Sequence, residues 1–181
     1  MIVLSGASAS GKTEVAKMLA QKYGITKVIT TTTRNPRTGE EDKKDYFFVT
    51  KEVFEDMIRN DRFVEHTFFN GELYGSTKDQ ISPNKCLVID LAGLRSYIAL
   101  NDPEIVTFFL DASEKKRHER MLIRGDDLDK ITSRIEHDRK AFKKGLIPVV
   151  DYHINTENDT IEDITEKVFN LYNEELKKRG C

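Results

Sequence analysis

The chain has 181 residues, 38% of them hydrophobic and 33% charged, which supplies one core and argues against disordered, collagen-like and two-domain classes. Lys plus Arg number 29 against 31 Asp plus Glu, a formal net charge of −2, so no global positive field draws the protein to nucleic acid or an anionic membrane. Apolar runs such as Cys86 to Ile89 and Val106 to Leu110 fall far short of the roughly 20 residues that cross a bilayer.

The start, Met1 to Ser5, has no basic segment ahead of a long apolar stretch, and a cytoplasmic protein is expected. Cys86 and Cys181 are expected to be reduced thiols, one in an apolar run and one at the last position. Ile2 to Leu4 reads as a buried strand, followed by a Gly-rich turn and a helix from about Lys12 to Tyr23 with Val15, Met18 and Leu19 at helical spacing. Lys27 to Thr31 is a second short strand, and Arg34-Asn35-Pro36-Arg37-Thr38-Gly39 a turn.

Asp45 to Val49 reads as a strand, with Thr50 as N-cap of a helix over Glu52 to Asn60. Arg62 to Phe69 and Glu72 to Tyr74 flank Asn70-Gly71, a strong two-residue hairpin signal. This block reads as a small antiparallel insertion. Lys85 to Leu91 and Ile105 to Leu110 are further buried strands with a helix near Leu94 to Leu100 between them. Ser113 caps a helix rich in Lys115, Lys116, Arg117, Arg120 and Arg124, which Gly125 to Asp129 interrupts. A helix over Asp129 to Lys144, a strand near Tyr152 to Ile154 and a helix over Thr160 to Lys178 complete an α/β pattern, a mostly parallel sheet flanked by helices.

Gly6-Ala7-Ser8-Ala9-Ser10-Gly11-Lys12-Thr13 fits G-x-x-x-x-G-K-[ST] between a predicted strand and a predicted helix, the context that motif requires. Glycines let consecutive N–H groups converge, the helix N-terminus contributes about half a positive charge, and Lys12 neutralises phosphate oxygens. Thr13 offers a hydroxyl to Mg²⁺, which prefers oxygen ligands. By itself the loop specifies a nucleoside triphosphate and no particular reaction.

Arg34 and Arg37 flank the Pro turn and present two guanidinium forks, which suit a phosphate dianion; a solvated basic turn is the plainer reading. Tyr46 and Tyr74 read as packing residues with hydroxyls in need of partners. Glu65, in Phe63 to Phe69, either faces solvent by alternation or meets a polar ligand, and Asp90 at the end of Val88-Ile89-Asp90 is a cap or a site acid. His66, His118, His137 and His153 show no metal-ligand spacing.

The succession from the Gly6 loop through Thr33-Arg34-Asn35-Pro36-Arg37-Thr38-Gly39-Glu40, Asp45-Tyr46-Phe47-Phe48-Val49, Phe63-Val64-Glu65 and Tyr74-Gly75-Ser76 resembles the guanylate kinase family over essentially the whole chain. The resemblance implies a P-loop NTPase fold: a core over 1–31 and 82–181, a helical lid over about 116–145 and a nucleoside-monophosphate-binding insertion over about 32–81. It implies transfer of the γ-phosphoryl of ATP to GMP or dGMP with Mg²⁺, in a monomer or weak homodimer.

By the same resemblance Gly6 to Thr13 hold ATP, and Arg34, Arg37, Tyr46 and Tyr74 bind the GMP phosphate. Glu65, Ser76, Thr30 and Asp90 meet the guanine. Arg120, Arg124 and Arg134 span the phosphates of both nucleotides, and Asn155 lies at adenine. With Lys12 and Arg34, those three arginines form the catalytic set. The chain departs from the family at Val88, where an acid is usual, and at His66, where an aromatic is usual. Two other readings fit the motifs less fully: a related P-loop kinase acting on another phosphorylated small molecule, and a guanylate-kinase-like binding module without catalysis.

Overall fold

A computed structural model of the chain describes residues 1–143 and 145–181. Its central sheet has five strands, β1 (Ile2–Ser5), β2 (Thr26–Lys27), β7 (Lys85–Val88), β8 (Val106–Asp111) and β9 (Tyr152–Asn155), in the spatial order β2-β7-β1-β8-β9 and all parallel. β1 sits in the middle. Its side chains alternate, so Ile2 and Leu4 enter one apolar layer and Val3 the other. Strands buried on both faces read as continuous apolar runs, which is why this segment shows no polar alternation.

Helices α1 (Lys12–Tyr23) and α6 (Ile161–Arg179) cover the first face through Val15, Leu19, Ile164, Val168 and Tyr172. Helix α3 (Leu91–Ala99) covers the second through Leu94 and Tyr97. Thr160 caps α6 in a capping box with Asp163, an arrangement that satisfies two main-chain donors reciprocally.

A second, smaller sheet of β3 (Thr31–Thr32), β4 (Phe47–Phe48), β5 (Phe63–Phe69) and β6 (Glu72–Thr77) has the order β4-β3-β6-β5 and packs with α2 (Lys51–Arg59). β5 and β6 form the predicted hairpin, with Asn70 at φ 51° and Gly71 at φ 88°, both in the left-handed region that a two-residue turn of this twist needs. The insertion is not wholly antiparallel: β3 pairs parallel with β4 and antiparallel with β6.

The expected single strand over Lys27 to Thr31 is divided. Thr26 pairs with Lys85 in the central sheet, whereas Thr31 pairs with Gly75 in the second, and one strand cannot keep register with two sheets. Helix α3 starts at Leu91, earlier than Leu94, because the Asp90 side chain accepts from Gly93 N at 2.9 Å and caps it there.

Helices α4 (Glu114–Ile123) and α5 (Leu128–Ala141) form a hairpin against the phosphate loop through Met121, Ile131 and Ile135, with Ala9 packed on them. The helix expected over Asp129 to Lys144 ends at Ala141, with Phe142 at its C-cap; position 144 itself lies outside the described residues. Cys86 is buried, Cys181 is exposed, and neither is in a disulfide.

Candidate functional site

The loop from Gly6 to Gly11 joins β1 to α1 at the carboxyl end of the central strand. Gly6 has φ 141°, and a Cβ there would stand 2.1 Å from the Leu110 carbonyl oxygen, so the loop passes over β8 only with glycine at this position. Ala9 has φ 59° and Gly11 φ 101°. Alternation of left- and right-handed residues turns successive amides inward and makes an anion nest. For Ala9 this conformation costs about 1 kcal/mol, so neighbouring contacts must hold it.

Lys12 Nζ donates to the carbonyls of Gly6 and Ala7, both at 2.7 Å. Burial pushes its pKa down to about 8, partly offset by the charge of Asp138. A desolvated ammonium tied to neutral oxygens, these two carbonyls and Ser10 Oγ at 3.4 Å, is poised for an anion. Beside it opens a cavity of about 420 Å³ whose walls include Lys12, Thr13, Arg120 and Arg124, flanked by the apolar side chains of Ile123 and Ile161. Cationic walls with apolar flanks fit a phosphate chain carrying a flat base.

The three predicted arginines divide. Arg120 reaches the loop, donating from Nη1 to Ala9 O at 3.3 Å and to Thr156 Oγ1 at 3.2 Å, and from Nη2 to Thr156 O. Arg124 lines the cavity and pairs with Asp126 through Nε at 2.9 Å and through Nη2. Arg134 is exposed and donates to the same Asp126 at 2.8 Å. The two arginines hold the Asp126 carboxyl below the usual range, Arg124 foremost. Asn155 is not in the cavity wall: it is exposed, and its Oδ1 accepts from Glu157 N at 2.8 Å.

On the second sheet, Arg34 Nη2 donates to both Glu40 oxygens at 2.8 and 2.9 Å, and its guanidinium lies 5.3 Å from the Tyr46 ring centroid and 5.8 Å from that of Phe48. Glu40 also accepts from the Arg37 main-chain amide at 2.8 Å, which closes the turn so that the two arginines sit on one rigid loop. Arg34 chiefly, and the Arg37 amide after it, hold the Glu40 carboxyl low. Tyr46 and Tyr74 meet edge to face with centroids 6.3 Å apart.

Glu65 is half-buried at the β5–β6 pairing, where its Oε1 accepts from Ser76 N at 3.1 Å and Ser76 Oγ at 2.6 Å. Desolvation raises its pKa, and the two Ser76 bonds oppose the rise. Asp90 contributes its charge to the same rise, so the β7 end and the hairpin share one electrostatic environment. Thr30 is half-buried and its carbonyl accepts from Phe47 N at 3.0 Å, at the entry to β3. Val88 is exposed, and His66 meets Phe54 and Phe63 edge to face.

Four residues of this architecture were not singled out from sequence. Tyr97, buried in α3, donates to Ser76 Oγ at 3.0 Å. Thr156, also buried, lies 3.1 Å from both Ser10 O and Asp111 O. Arg117 and Asp138 form a buried ion pair at 2.7 Å across α4 and α5. A signal for that pair was present. Arg117 falls one turn from Met121, and Asp138 follows Ile131 and Ile135 on the same stripe, so two neighbouring apolar faces each carry one charge of opposite sign.

A family model described as guanylate kinase matches residues 1–175. A guanylate kinase of Clostridium perfringens strain 13 is 33% identical over 175 residues, covering 93% of this chain and 80% of that protein. The human guanylate kinase is 33% identical over 197 residues, covering 98% and 94%. Among solved structures, guanylate kinase from Anaplasma phagocytophilum superposes with a TM-score of 0.69 at 25% identity, covering 97% of this chain and 85% of that one.

Proposed function

The chain belongs to the guanylate kinase family, and from that premise we propose that it transfers the γ-phosphoryl group of ATP to GMP or dGMP, with the loop over Gly6 to Thr13 as the donor grip and the second sheet as the acceptor grip. The observation that carries this reading is the pairing of two differently built anion sites: a main-chain nest with a desolvated Lys12, and a rigid two-arginine turn backed by Glu40.

The acceptor is already an ionised phosphate, so its oxygen needs no base to remove a proton. The work left to the protein is alignment and neutralisation of charge on the moving group. Lys12 and the loop amides hold the donor's β- and γ-phosphates. Arg34 and Arg37, with Tyr46 and Tyr74, fix the acceptor phosphate. Arg120, Arg124 and Arg134 neutralise the transferring group from the α4–α5 side. Thr13, exposed at the cavity mouth, offers one neutral oxygen, a donor suited to Mg²⁺ that keeps phosphate and water ligands; the ion would spread the negative charge of the donor.

Selectivity falls to Glu65. Its carboxylate accepts from the N1–H and 2-amino group of guanine, supported by Ser76, Thr30 and Asp90. Adenine offers an acceptor at N1 and would leave that buried oxygen facing a lone pair. Sites of this kind reject the analogue by roughly 10⁴-fold or more.

A coupled assay with ATP, Mg²⁺ and a panel of monophosphates tests the proposal. Turnover with GMP and dGMP and none with AMP, CMP or UMP is expected. Turnover with a different phosphorylated acceptor, or with none, overturns it.

A further inference from the structure

The strained part of the phosphate loop is held from behind by charged side chains of the α4–α5 hairpin. Asp138 Oδ2 accepts from the Ser8 main-chain amide at 2.8 Å, and its Oδ1 lies 3.3 Å from Ser8 Oγ. Arg117 Nη1 donates to Asp138 Oδ2 at 2.7 Å and lies 3.3 Å from the Ser8 carbonyl. Arg120 Nη1 takes the next carbonyl, that of Ala9, at 3.3 Å. The Ala9 methyl rests on Met121, Ile131 and Ile135. The peptide groups on both sides of the left-handed Ala9 are therefore fixed by α4 and α5.

The pair is deeply placed, with the Arg117 and Asp138 side chains 8% and 5% exposed. Replacing such a pair by apolar residues is often neutral or stabilising, so its presence is poorly explained by stability alone. Arg117 Nε has no hydrogen-bond partner among the described residues, which no optimised packing role would favour. What the geometry does accomplish is directional: it delivers one carboxylate to one loop amide and one guanidinium to the carbonyl of the same residue.

We propose that Asp138, oriented by Arg117, is a positioning residue for ATP binding: it clamps Ser8 so that Ala9 keeps its left-handed conformation and the following loop amides stay aimed at the donor phosphates. This deepens the reading of the loop as the triphosphate grip and rests on it. It also ties the shape of that grip to the two helices that carry Arg120, Arg124 and Arg134. A conformation that costs energy locally persists only where its surroundings over-determine it, and here the determinants come from elements distant in sequence.

A single substitution would strand a buried charge, so the test uses the double variant Arg117→Met/Asp138→Ala, which removes both charges, and the triple variant that adds Ala9→Gly. Two readouts are taken: ATP and GMP dissociation constants by calorimetry well below each melting temperature, and hydrogen exchange of the loop amides in the free protein. The double variant is expected to melt close to the wild type, to bind ATP about tenfold more weakly with GMP binding unchanged, and to lose protection at the Ser8 amide. Adding Ala9→Gly is expected to recover roughly threefold of the lost ATP affinity, because glycine adopts positive φ without support. A merely structural pair would move the melting temperature and leave ATP affinity in place. Wild-type ATP affinity together with wild-type Ser8 protection in the double variant overturns the proposal. Failure of the unaltered protein to bind ATP instead removes the assignment of the loop, while hydrogen exchange still decides whether Asp138 holds Ser8.

Discussion

Ser76 donates twice to one oxygen of Glu65, from its main chain at 3.1 Å and from its hydroxyl at 2.6 Å, both to Oε1. The side chain of Glu65 is thereby turned so that Oε2 faces away from these bonds. Tyr97 donates to the same Ser76 hydroxyl at 3.0 Å and so fixes which way its proton points. A carboxylate anchored through one oxygen keeps the other, Oε2, for a donor of a planar base without first giving up its support.

Glu65→Gln converts the acceptor oxygen into half of an amide and places a donor against guanine's donors. KM for GMP is expected to rise roughly 10- to 100-fold while KM for ATP stays near wild type. Steady-state kinetics with each substrate varied in turn measures the split, and equal changes in both constants would place Glu65 outside the base site.

Because burial raises the Glu65 pKa, the proposed guanine contact makes GMP affinity depend on pH in a definite direction. On that proposal the carboxylate is the binding form, so affinity is expected to fall as pH drops, beginning above the ordinary carboxylate range. For stability the sign is opposite: the folded state holds this proton more readily than the unfolded state, so Glu65 contributes less as pH rises from about 4.5 through its raised pKa. Titration of GMP binding in the wild type and in Glu65→Gln checks this, since the substituted protein should lack the dependence.

Lys12→Ala is expected to reduce turnover by about three orders of magnitude or more with the fold intact by circular dichroism. A rate within a few-fold of wild type would falsify the donor grip as described.

Lys12 also predicts proton linkage. In the free protein its pKa is near 8 against an ordinary 10.5, and triphosphate oxygens favour the charged form. ATP binding at about pH 9 should therefore take up a fraction of a proton that binding at about pH 7 does not. Calorimetry in two buffers of different ionisation enthalpy reads this uptake. Without ATP the folded protein binds fewer protons here than the unfolded chain, so the burial cost of the ammonium is fully present below about 8 and is relieved as pH rises towards 10.5. Lys12→Met should abolish both effects.

Arg34→Lys keeps the charge and loses the planar fork that Glu40 holds with two bonds. KM for GMP is expected to increase about tenfold or more, with little change in melting temperature. Kinetics and a thermal melt on the same preparation test both halves, and an unchanged KM would show that the acceptor phosphate does not use the fork.

Asp126 holds Arg124 and Arg134 in the free protein, in competition with any phosphate that needs them. Pairs at the surface contribute little and are screened by salt, so Asp126→Asn should tighten ATP binding a few-fold at low salt and less at high salt. Weaker binding would show instead that Asp126 orients the arginines productively.

Much of the molecule was legible because its signals are local. A buried central strand, a Gly-rich turn and a helix with Lys12 at its start are written in adjacent residues, and α1 runs over Lys12–Tyr23 as the pattern predicts. Asn70-Gly71 fixes its hairpin for the same reason. Arg34 and Arg37 stand out by their own spacing across the Pro turn, whereas Glu65 and Ser76 gain a role only through the resemblance to the guanylate kinase family, to which the chain belongs. Local pattern could not show that Thr26 and Thr31 belong to different sheets, since strand partners are chosen by side chains far along the chain. Nor could it show that Glu65 turns inward, that Asn155 is spent on Glu157, or that Arg117 of a basic-looking helix is buried against Asp138. A charge is solvated or paired according to what packs over it, and that is decided only when α4 and α5 close on the phosphate loop and exclude water from the pair.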